Sequence, residues 1–245
     1  TGNAIQLAAA KAKEILFQVA APMLGVKPEQ LEARDRKIQV KNYPQRSIGI
    51  GEVANQAQFV MGQPALGSAS FNPPTVALDA ETGQGKPFAT YVYATQIAEV
   101  DVDDETGEVD VLRIVASHDC GTAINPMLVE GQLHGGVMQG IGQALVEHTV
   151  YDEDGQLVTG SFMDYGLPRA DMTPPFTVKS HSVPAKTNLL GAKGCGEAGC
   201  AGSLPSVMNA LVDALSVYGI THIDMPATPL RVWQAIQTAK AKHVA

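Results

Sequence analysis

The feature that most constrains the fold is a glycine-rich segment at residues 191–202, which has to form a loop around one acid. It contains five glycines and a single carboxylate, Glu197. Glycine allows positive φ angles and close approach of another group to the backbone. Ser203 is a candidate N-cap, Pro205 suits a first helical turn, and apolar residues then recur at helical spacing. We therefore expect a helix over residues 204–218 that follows a loop presenting Glu197.

Glu197 is a candidate general base. Burial in an apolar, glycine-lined pocket raises the pKa of a carboxylic acid, so that it accepts a proton near neutral pH. The alternative is an ordinary turn with a solvated glutamate, and spacing alone does not choose between them. Residues 194–199 spell G-x-G-x-x-G, but no strand–turn–helix unit with a following acid surrounds them, and G-x-x-x-x-G-K-[ST] is absent. A nucleotide-binding loop is therefore disfavoured.

Composition narrows the class of protein. The 245 residues suffice for one large or two small domains, and we expect any boundary near residues 85–120. A hydrophobic share of 45% with 17% charged residues argues against disorder. A net charge of −8 without a basic cluster argues against nucleic acid and anionic membranes as partners, and no apolar run reads as membrane-spanning. Because Thr1 is neither a methionine start nor part of a signal peptide, we expect a fragment or a split subunit.

The cysteine pattern indicates free thiols in a reducing, cytoplasmic compartment. The three cysteines, Cys120, Cys195 and Cys200, are odd in number and not closely paired. The C-x4-C spacing of the last two, with no histidine at finger spacing, disfavours zinc and iron–sulfur sites. An alternative function is a thiol hydrolase, since His118 and Cys120 share a face of an extended chain. Nothing in the sequence marks an oxyanion hole for that reaction.

Periodicity predicts an α+β fold with mixed or antiparallel sheets and packed helices. An alternating hairpin with an Asp/Gly turn is expected over residues 91–116. Asn125 and Pro126 open a helix that reaches residue 145. The remaining expected elements are helices at 3–24, 50–60 and 230–242, a turn with an edge strand at 31–40, strands at 176–183 and 220–223, and a long irregular crossing at 62–87. The free N–H groups that open the first helix are suited to an anion.

The helix over residues 125–145 is unusual because it contains five glycines. Each costs about 1 kcal/mol relative to alanine in a helix interior. A helix carries glycines when a neighbouring helix or a ligand has to come very close. Gln132 and Gln139 lie seven residues apart on one stripe, and an amide there both donates to and accepts from a heterocycle or an oxo group. The alternative is two exposed polar residues.

Taken together, the motifs resemble a known family. The resemblance rests on these segments in this order: Thr1-Gly2-Asn3-Ala4, Gly85-Lys86-Pro87-Phe88, Asp119-Cys120-Gly121, Asn125-Pro126, Glu130-Gly131-Gln132, Gly135-Gly136, Gln139-Gly140-Ile141-Gly142 and Gly194-Cys195-Gly196-Glu197-Ala198-Gly199. The chain is similar over nearly its whole length to the C-terminal part of the molybdopterin-binding large subunit of the xanthine oxidase family of molybdenum hydroxylases. That family includes xanthine dehydrogenases, aldehyde oxidases and aerobic carbon monoxide dehydrogenases.

The resemblance implies a role for each matching residue. Glu197 matches the family's active-site glutamate, the general base that takes a proton from the hydroxide on molybdenum. The implied reaction is hydroxylation of an aldehyde or N-heterocyclic carbon with oxygen derived from water. No protein side chain is expected to bind the metal, which the pterin holds. The residues implied to contact the cofactor are Gln132, Gly131, Asn125, Lys193, Gly194, Cys195, Gly196, Thr1, Gly2 and Asn3.

The resemblance also implies partners and cofactors. The family's large subunit is roughly three times longer than this chain, so the rest of that subunit is an expected partner. The cofactor is expected to be molybdopterin, in the cytosine dinucleotide form. Iron–sulfur clusters and FAD are expected on an Fe–S subunit and an FAD subunit, or on other domains, because this sequence has no cysteine clusters. The alternative within the same assembly is a non-catalytic scaffold.

Overall fold

The computed structural model describes residues 1–244 and has the predicted α+β architecture. The chain divides into two compact units. The first unit comprises Thr1–Pro74 and Asn188–Leu190, and the second comprises Thr75–Thr187 and the chain from Gly191 onward. The division between Pro74 and Thr75 lies upstream of the region at 85–120 in which the sequence analysis put a boundary. Each unit has its own apolar core.

The first unit combines two helices with a small antiparallel sheet. Its elements are α1 at Gly2–Leu24, β1 at Leu31–Arg34, β2 at Lys37–Val40, β3 at Tyr43–Gly49 and α2 at Ile50–Asn55, which continues as a π-helical turn at Gln56–Val60. The helices predicted at 3–24 and 50–60 are confirmed. Gly25 ends α1 with a left-handed φ of 64°, as expected for a C-terminal glycine.

The prediction of one edge strand at residues 31–40 is wrong. The segment is a hairpin in which Leu31 faces Val40 and Arg34 faces Lys37. Asp35 and Arg36 make the turn with φ angles of 48° and 61°. Two positive φ angles suit the right-handed twist of a two-residue hairpin. The polar turn residues concealed this hairpin because neither of them is glycine or asparagine.

The second unit is built on a three-stranded mixed sheet. Its strands are β4 at Tyr93–Val102, β5 at Val109–Asp119 and β6 at Phe176–Ser180. β4 and β5 form the predicted antiparallel hairpin, and β6 pairs parallel to β5. The helices are α3 at Pro126–Leu145, α4 at Ala198–Leu215 and α5 at Pro229–Val244. The helices predicted from Asn125 and over 230–242 are confirmed, whereas residues 220–223 form no strand.

Helices α3 and α4 pack closely because glycines face each other at their contact. A Cβ on Gly199 would lie 2.6 Å from the Leu133 carbonyl oxygen, and one on Gly136 would lie 3.1 Å from Gly199 Cα. One on Gly140 would overlap Ser203 Oγ at 1.8 Å. Two of the glycines in α3 therefore serve helix packing, as predicted. Gly131 and Gly135, in contrast, face open space.

Helix α4 begins earlier than predicted. The expected start was at residue 204 with Ser203 as cap, but the first helical residue is Ala198 and Glu197 occupies the N-cap position. Ser203 is buried inside the helix, and its Oγ donates to the Cys200 carbonyl oxygen at 3.2 Å. Packing against the glycines of α3 stabilises a helical turn that contains Gly199 and Gly202. Tertiary contacts thus outweigh the low helix propensity of glycine.

The prediction that no apolar run reaches membrane-spanning length is wrong. By length and composition, the segment Ala198–Tyr218 is long and apolar enough to cross a membrane. This is weak evidence, because core helices of soluble proteins pass the same test. Val207, Leu211 and Leu215 on this helix belong to the apolar core of the second unit. Its apolar face is accounted for by packing within the unit.

Candidate functional site

Glu197 stands at the junction between the glycine loop and α4. Its carbonyl oxygen accepts the first intrahelical hydrogen bond from the Ala201 N–H at 3.0 Å. Its side chain makes no capping bond to the helix. The side chain is exposed in this chain, so the expected burial of Glu197 is not observed. Its carboxylate is available to a group bound beside the loop.

A cavity of about 570 Å³ lies against this junction. Its lining residues are Glu197, the adjacent residues 194–196, the helix residues Ala198, Ala201 and Gly202, and residues Thr90, Tyr91, Val92 and Ala94 at the start of the sheet. Cavities that hold small molecules and cofactors are about 300–1,000 Å³, mostly apolar, with a few polar groups. The expected glycine-lined pocket is therefore present, with Glu197 as its one carboxylate.

Gln132 lies beside the glycine loop. A Cβ built on Gly196 would be 3.9 Å from Gln132 Oε1, which places this amide next to the residue that precedes Glu197. Gln132 and Gly131 are exposed on the N-terminal half of α3. Asn125 caps that helix, since its Oδ1 accepts from the Leu128 N–H at 3.2 Å. The structure thus brings Gln132 to the loop and gives Asn125 a capping role.

The loop is anchored at its start to the end of β5. The Lys193 ammonium forms an ion pair with Asp119, and both side chains are only 9% exposed. The Lys193 N–H donates to the Cys120 carbonyl oxygen at 2.9 Å. Lys193, which the resemblance assigns to the cofactor, therefore uses its side chain to hold the loop. Any contact of this residue with a ligand in the cavity would come from its backbone.

Asp119 is the centre of this anchor. Its Oδ1 accepts from the Gly121 N–H at 2.9 Å and the Val183 N–H at 3.0 Å. Burial raises the pKa of Asp119, but the Lys193 ammonium and the two backbone donors outweigh burial and hold the pKa at about 2. Asp119 is a charged structural group at neutral pH. This structural role was not predicted from the sequence, where the only signal is an acid at the end of a strand, two residues before Gly121.

The loop also offers backbone donors to a ligand. Within residues 1–244, the N–H groups of Gly194, Cys195, Gly196 and Glu197 meet no protein acceptor. A Cβ on Gly194 would meet no atom within 4 Å. Unpaired N–H groups ahead of a helix bind oxygen-rich or anionic groups. These four residues and the Gln132 amide form one surface that can accept a polar ligand.

A polar pair lies beneath the start of α4. The Gln96 amide nitrogen on β4 donates to the carbonyl oxygens of Ala198 at 3.3 Å and Gly199 at 3.0 Å, and it lies 3.2 Å from His118 Nε2. The two carbonyls fix the orientation of the amide. If the amide were flipped, its own oxygen would face the two carbonyl oxygens and would be repelled by them. A ring N–H at Nε2 would point at the amide hydrogens, so we assign His118 as the neutral tautomer with its proton on Nδ1. Gln96 was not predicted as a site residue from the sequence.

The state of His118 leads to a pH prediction. His118 is buried, and burial lowers its pKa from the ordinary value of 6.5. Protonation would also turn Nε2 into a donor facing the Gln96 amide. The unfolded chain therefore binds the proton more readily than the folded chain. The contribution of neutral His118 to the free energy of unfolding is complete above about pH 6.5 and is lost as pH falls below that value.

We expect the midpoint of thermal unfolding to fall between pH 7 and pH 5 in the native protein and to fall less in a His118→Phe variant. The quantity to compare is the change in the unfolding midpoint per pH unit, measured by scanning calorimetry at the same ionic strength for each protein. His148→Gln, which changes an exposed histidine, should keep the native slope. Equal slopes for the native protein and the His118→Phe variant would contradict the prediction.

The thiol-hydrolase alternative receives no support from the geometry. Among the described residues 1–244, His118 Nδ1 has no hydrogen-bond partner and Nε2 faces Gln96, so neither ring nitrogen is bonded to Cys120. Cys120 itself is buried, at 3% exposure. Burial and the nearby Cys120 raise the pKa of the Cys195 thiol. Burial, followed by the charges of Glu147 and Glu197, raises the pKa of Cys200. Both of these thiols are therefore poor nucleophiles.

The other predicted cofactor residues belong to the first unit. Thr1 is exposed and precedes α1, and its carbonyl oxygen accepts from the Ile5 N–H at 3.0 Å. Asn3 Oδ1 accepts from the Leu190 N–H at 3.0 Å. A Cβ on Gly2 would lie 2.8 Å from Leu190 Cδ1, so glycine is needed for this approach. The side chain of Asn3 thus has a structural partner, and Thr1 makes no capping bond.

A second cavity of about 540 Å³ lies elsewhere in the second unit. It is bordered by β5, the C-terminal end of α3 and residues 171–175. It includes none of the predicted site residues. The cavity beside Glu197 brings together a candidate base and backbone N–H donors, and the Gln132 amide lies next to its lining residue Gly196.

Comparisons with known proteins identify the family of this chain. Residues 1–174 match the family model described as the molybdopterin cofactor-binding domain. The chain is 36% identical over 236 residues to the carbon monoxide dehydrogenase large chain of Hydrogenophaga pseudoflava, covering 96% of this chain and 28% of that protein. It is 35% identical to the nicotine 6-hydroxylase large subunit of Paenarthrobacter nicotinovorans, with 96% and 28% covered.

The fold agrees as well. The reconstituted carbon monoxide dehydrogenase from Oligotropha carboxidovorans superposes with a TM-score of 0.85 at 32% identity, covering 99% of this chain and 29% of that one. The chain thus spans less than a third of the length of these relatives. The matching family model covers most of the chain, and the structural likeness covers nearly all of it. The chain therefore belongs to the molybdopterin cofactor-binding domain family of molybdenum hydroxylase large subunits.

Proposed function

We propose that this chain forms one wall of the active site of a molybdenum hydroxylase and supplies its general base, Glu197. The observation that carries the proposal is the cavity in which Glu197 is the single carboxylate, beside a loop of unpaired N–H groups. The proposed reaction is hydroxylation of an aldehyde or an N-heterocyclic carbon with oxygen from water. One relative is a nicotine 6-hydroxylase, whose name is compatible with a heterocyclic substrate for this enzyme.

The residues of the cavity fit a pterin cofactor. A pterin is a flat heterocycle with ring nitrogens and a carbonyl, and its phosphate and dithiolene groups carry negative charge. The four backbone donors at 194–197 suit such oxygen-rich groups, and the Gln132 amide both donates and accepts. Gly194 and Gly196 keep the space free of side chains. We assign the holding role to Gln132 and to the backbone of this loop.

The chain's own contribution is proton transfer and positioning. When bound, the molybdenum cofactor supplies the oxygen transfer and accepts the two electrons. Glu197 accepts a proton at a carboxylate oxygen, because the residue lines the cavity and its side chain makes no capping bond to α4 within the described residues 1–244. The Asp119–Lys193 ion pair holds the loop in place during proton transfer to Glu197. Val92 and Ala94 contribute apolar groups to the wall of the cavity.

The activity of the whole enzyme requires more than this chain. We propose as partners the rest of the large subunit, an Fe–S subunit and an FAD subunit, which carry electrons away from the site. The cofactor is proposed to be the cytosine dinucleotide form of molybdopterin. The compartment is proposed to be the cytoplasm, because the three cysteines are free thiols.

The test is the molybdenum and pterin content of the complete enzyme purified with its partner chains. We expect stoichiometric molybdenum, and more phosphate per pterin than a mononucleotide carries if the dinucleotide form is bound. A Gly194→Val variant should lose at least about 90% of the molybdenum, because the valine side chain enters a cavity in which it meets no protein atom.

The matched control is Gly135→Ala, which adds a side chain in open space on α3. This control should keep its molybdenum, and both variants should keep the native unfolding temperature. Full molybdenum in the Gly194→Val enzyme would contradict the assignment of this cavity to the cofactor. Absence of molybdenum and pterin from the native enzyme would contradict the proposed function itself.

A further inference from the structure

The first turns of α4, which carry Glu197 into position, are intrinsically weak. They contain Gly199 and Gly202, which lower helix propensity, and Glu197 makes no side-chain capping bond. Pro205 lies inside the helix and has no N–H, so the Ala201 carbonyl loses its usual partner. A helix start of this composition frays unless other groups hold it.

Gln96 is the group that holds this helix start from the sheet. Its amide nitrogen donates to the carbonyl oxygens of Ala198 and Gly199, the two residues that follow Glu197. The contact crosses more than a hundred positions of sequence and joins β4 to α4. Because the Ala198 and Gly199 carbonyls also accept from within the helix, the amide holds them in the helical orientation.

Gly202 makes this contact possible. A Cβ on Gly202 would lie 2.6 Å from the amide nitrogen of Gln96 and 2.7 Å from its amide carbon. Any side chain at position 202 would therefore push the amide away from the two carbonyls. His118, on β5, contacts the same amide nitrogen at 3.2 Å.

We propose that Gln96 is a positioning residue for Glu197: its amide, seated against Gly202, fixes the first turn of α4 and with it the direction in which the carboxylate enters the cavity. The inference rests on the proposed function of Glu197. Gln96 acts through the helix, since it is not among the residues that line the cavity. Its loss should reduce the rate of the chemical step more than the binding of substrate or cofactor.

The test uses the complete enzyme with Gln96→Met, which keeps the length of the side chain and removes the donor. We expect amide hydrogen exchange of residues 202 and 203 to accelerate about threefold to tenfold, the factor expected for losing a hydrogen bond. We expect kcat to fall about tenfold or more because the carboxylate is misplaced. KM and molybdenum content should stay within twofold of the native values.

Gly202→Ala is an independent variant that should displace the Gln96 amide while raising the local helix propensity. Alanine is the better helix former, so a purely local effect would slow the exchange at residues 202 and 203. Displacement of Gln96 predicts faster exchange instead. Thr95→Val, on the exposed face of the same strand, is the matched control and should change neither exchange nor kcat.

The outcomes separate the two proposals because Glu197→Gln is measured in the same assay. Faster exchange with reduced kcat in the Gln96→Met enzyme supports the inference. Unchanged exchange overturns it, as does faster exchange with native kcat while Glu197→Gln is inactive. Native activity in the Glu197→Gln enzyme overturns the proposed base and the positioning role together. Should Gln96→Met fail to assemble, the Gly202→Ala enzyme decides by the same readouts.

Discussion

Replacing Glu197 by glutamine is expected to lower kcat of the complete enzyme by at least about 100-fold, the contribution of a positioned general base. Glutamine has nearly the same shape but no basic oxygen at neutral pH. The change should leave the fold intact, because the Glu197 side chain makes no capping bond and only its backbone carbonyl is used by the helix. Molybdenum content should therefore remain at the native level.

The measurement is steady-state turnover on a panel of aldehydes and N-heterocycles with a dye as electron acceptor, alongside molybdenum analysis. Incorporation of ¹⁸O from labelled water into the product tests the source of the oxygen. Glu153→Gln, an acid in an exposed turn, is the control and should keep full activity. A Glu197→Gln enzyme with kcat within twofold of native would exclude Glu197 as the base and would favour the scaffold alternative.

The sequence predicted the elements whose signals are local. Asn125 and Pro126 supply a cap and a first-turn residue, so α3 could be located from a few neighbouring residues. The hairpin of β4 and β5 likewise has alternation on both sides of a turn at Gly107, whose φ is 79°. In each case the information lies within one element, and tertiary contacts reinforce it.

Elements whose structure depends on contacts between residues distant in sequence were not predicted correctly. The start of α4 at Ala198 depends on the glycines of α3 and on Gln96, neither of which is near it in sequence. Strand β3 was not predicted because Pro44 and polar neighbours interrupt its pattern, and proline is tolerated only at an edge or at the beginning of a strand.

Some residues of the candidate site could be named from the sequence and others could not. Glu197 and Gln132 could be named from the family resemblance, and the structure brings the loop and Gln132 together. The supporting residues Asp119 and Gln96 have no motif of their own, since their partners lie 74 and 102 or 103 positions away. Residues that position a base through the backbone are recognised only when the fold shows their acceptors.

The second large effect is expected from Lys193→Met, which removes the cation from the buried pair with Asp119. Both side chains are 9% exposed, so the variant leaves a carboxylate buried without a counterion. Removing one partner of a buried ion pair costs about 3–5 kcal/mol, and methionine keeps much of the side-chain volume. The local free energy of opening at the base of the loop should fall by that amount.

Amide hydrogen exchange measures this directly, because the N–H groups of Gly121 and Val183 donate to Asp119. Exchange at these two amides should accelerate about 100-fold or more, since each factor of ten corresponds to about 1.4 kcal/mol. In the double variant Asp119→Asn with Lys193→Met, no charge remains buried, so part of the lost protection should return. Unchanged exchange in Lys193→Met would show that the ion pair does not hold the loop.

The stabilisation by the Asp119–Lys193 ion pair should also depend on pH. The pKa of Asp119 is held at about 2 in the folded chain, below the ordinary value of 3.8. The contribution of ionised Asp119 to the free energy of unfolding is therefore complete above about pH 4 and is lost as pH falls towards 2. Without Lys193 this pKa rises, so the native protein should lose more protection at Gly121 and Val183 between pH 5 and pH 2 than the Lys193→Met variant. Because the same loop leads to Glu197, molybdenum content should fall in parallel with the loss of protection at pH 7.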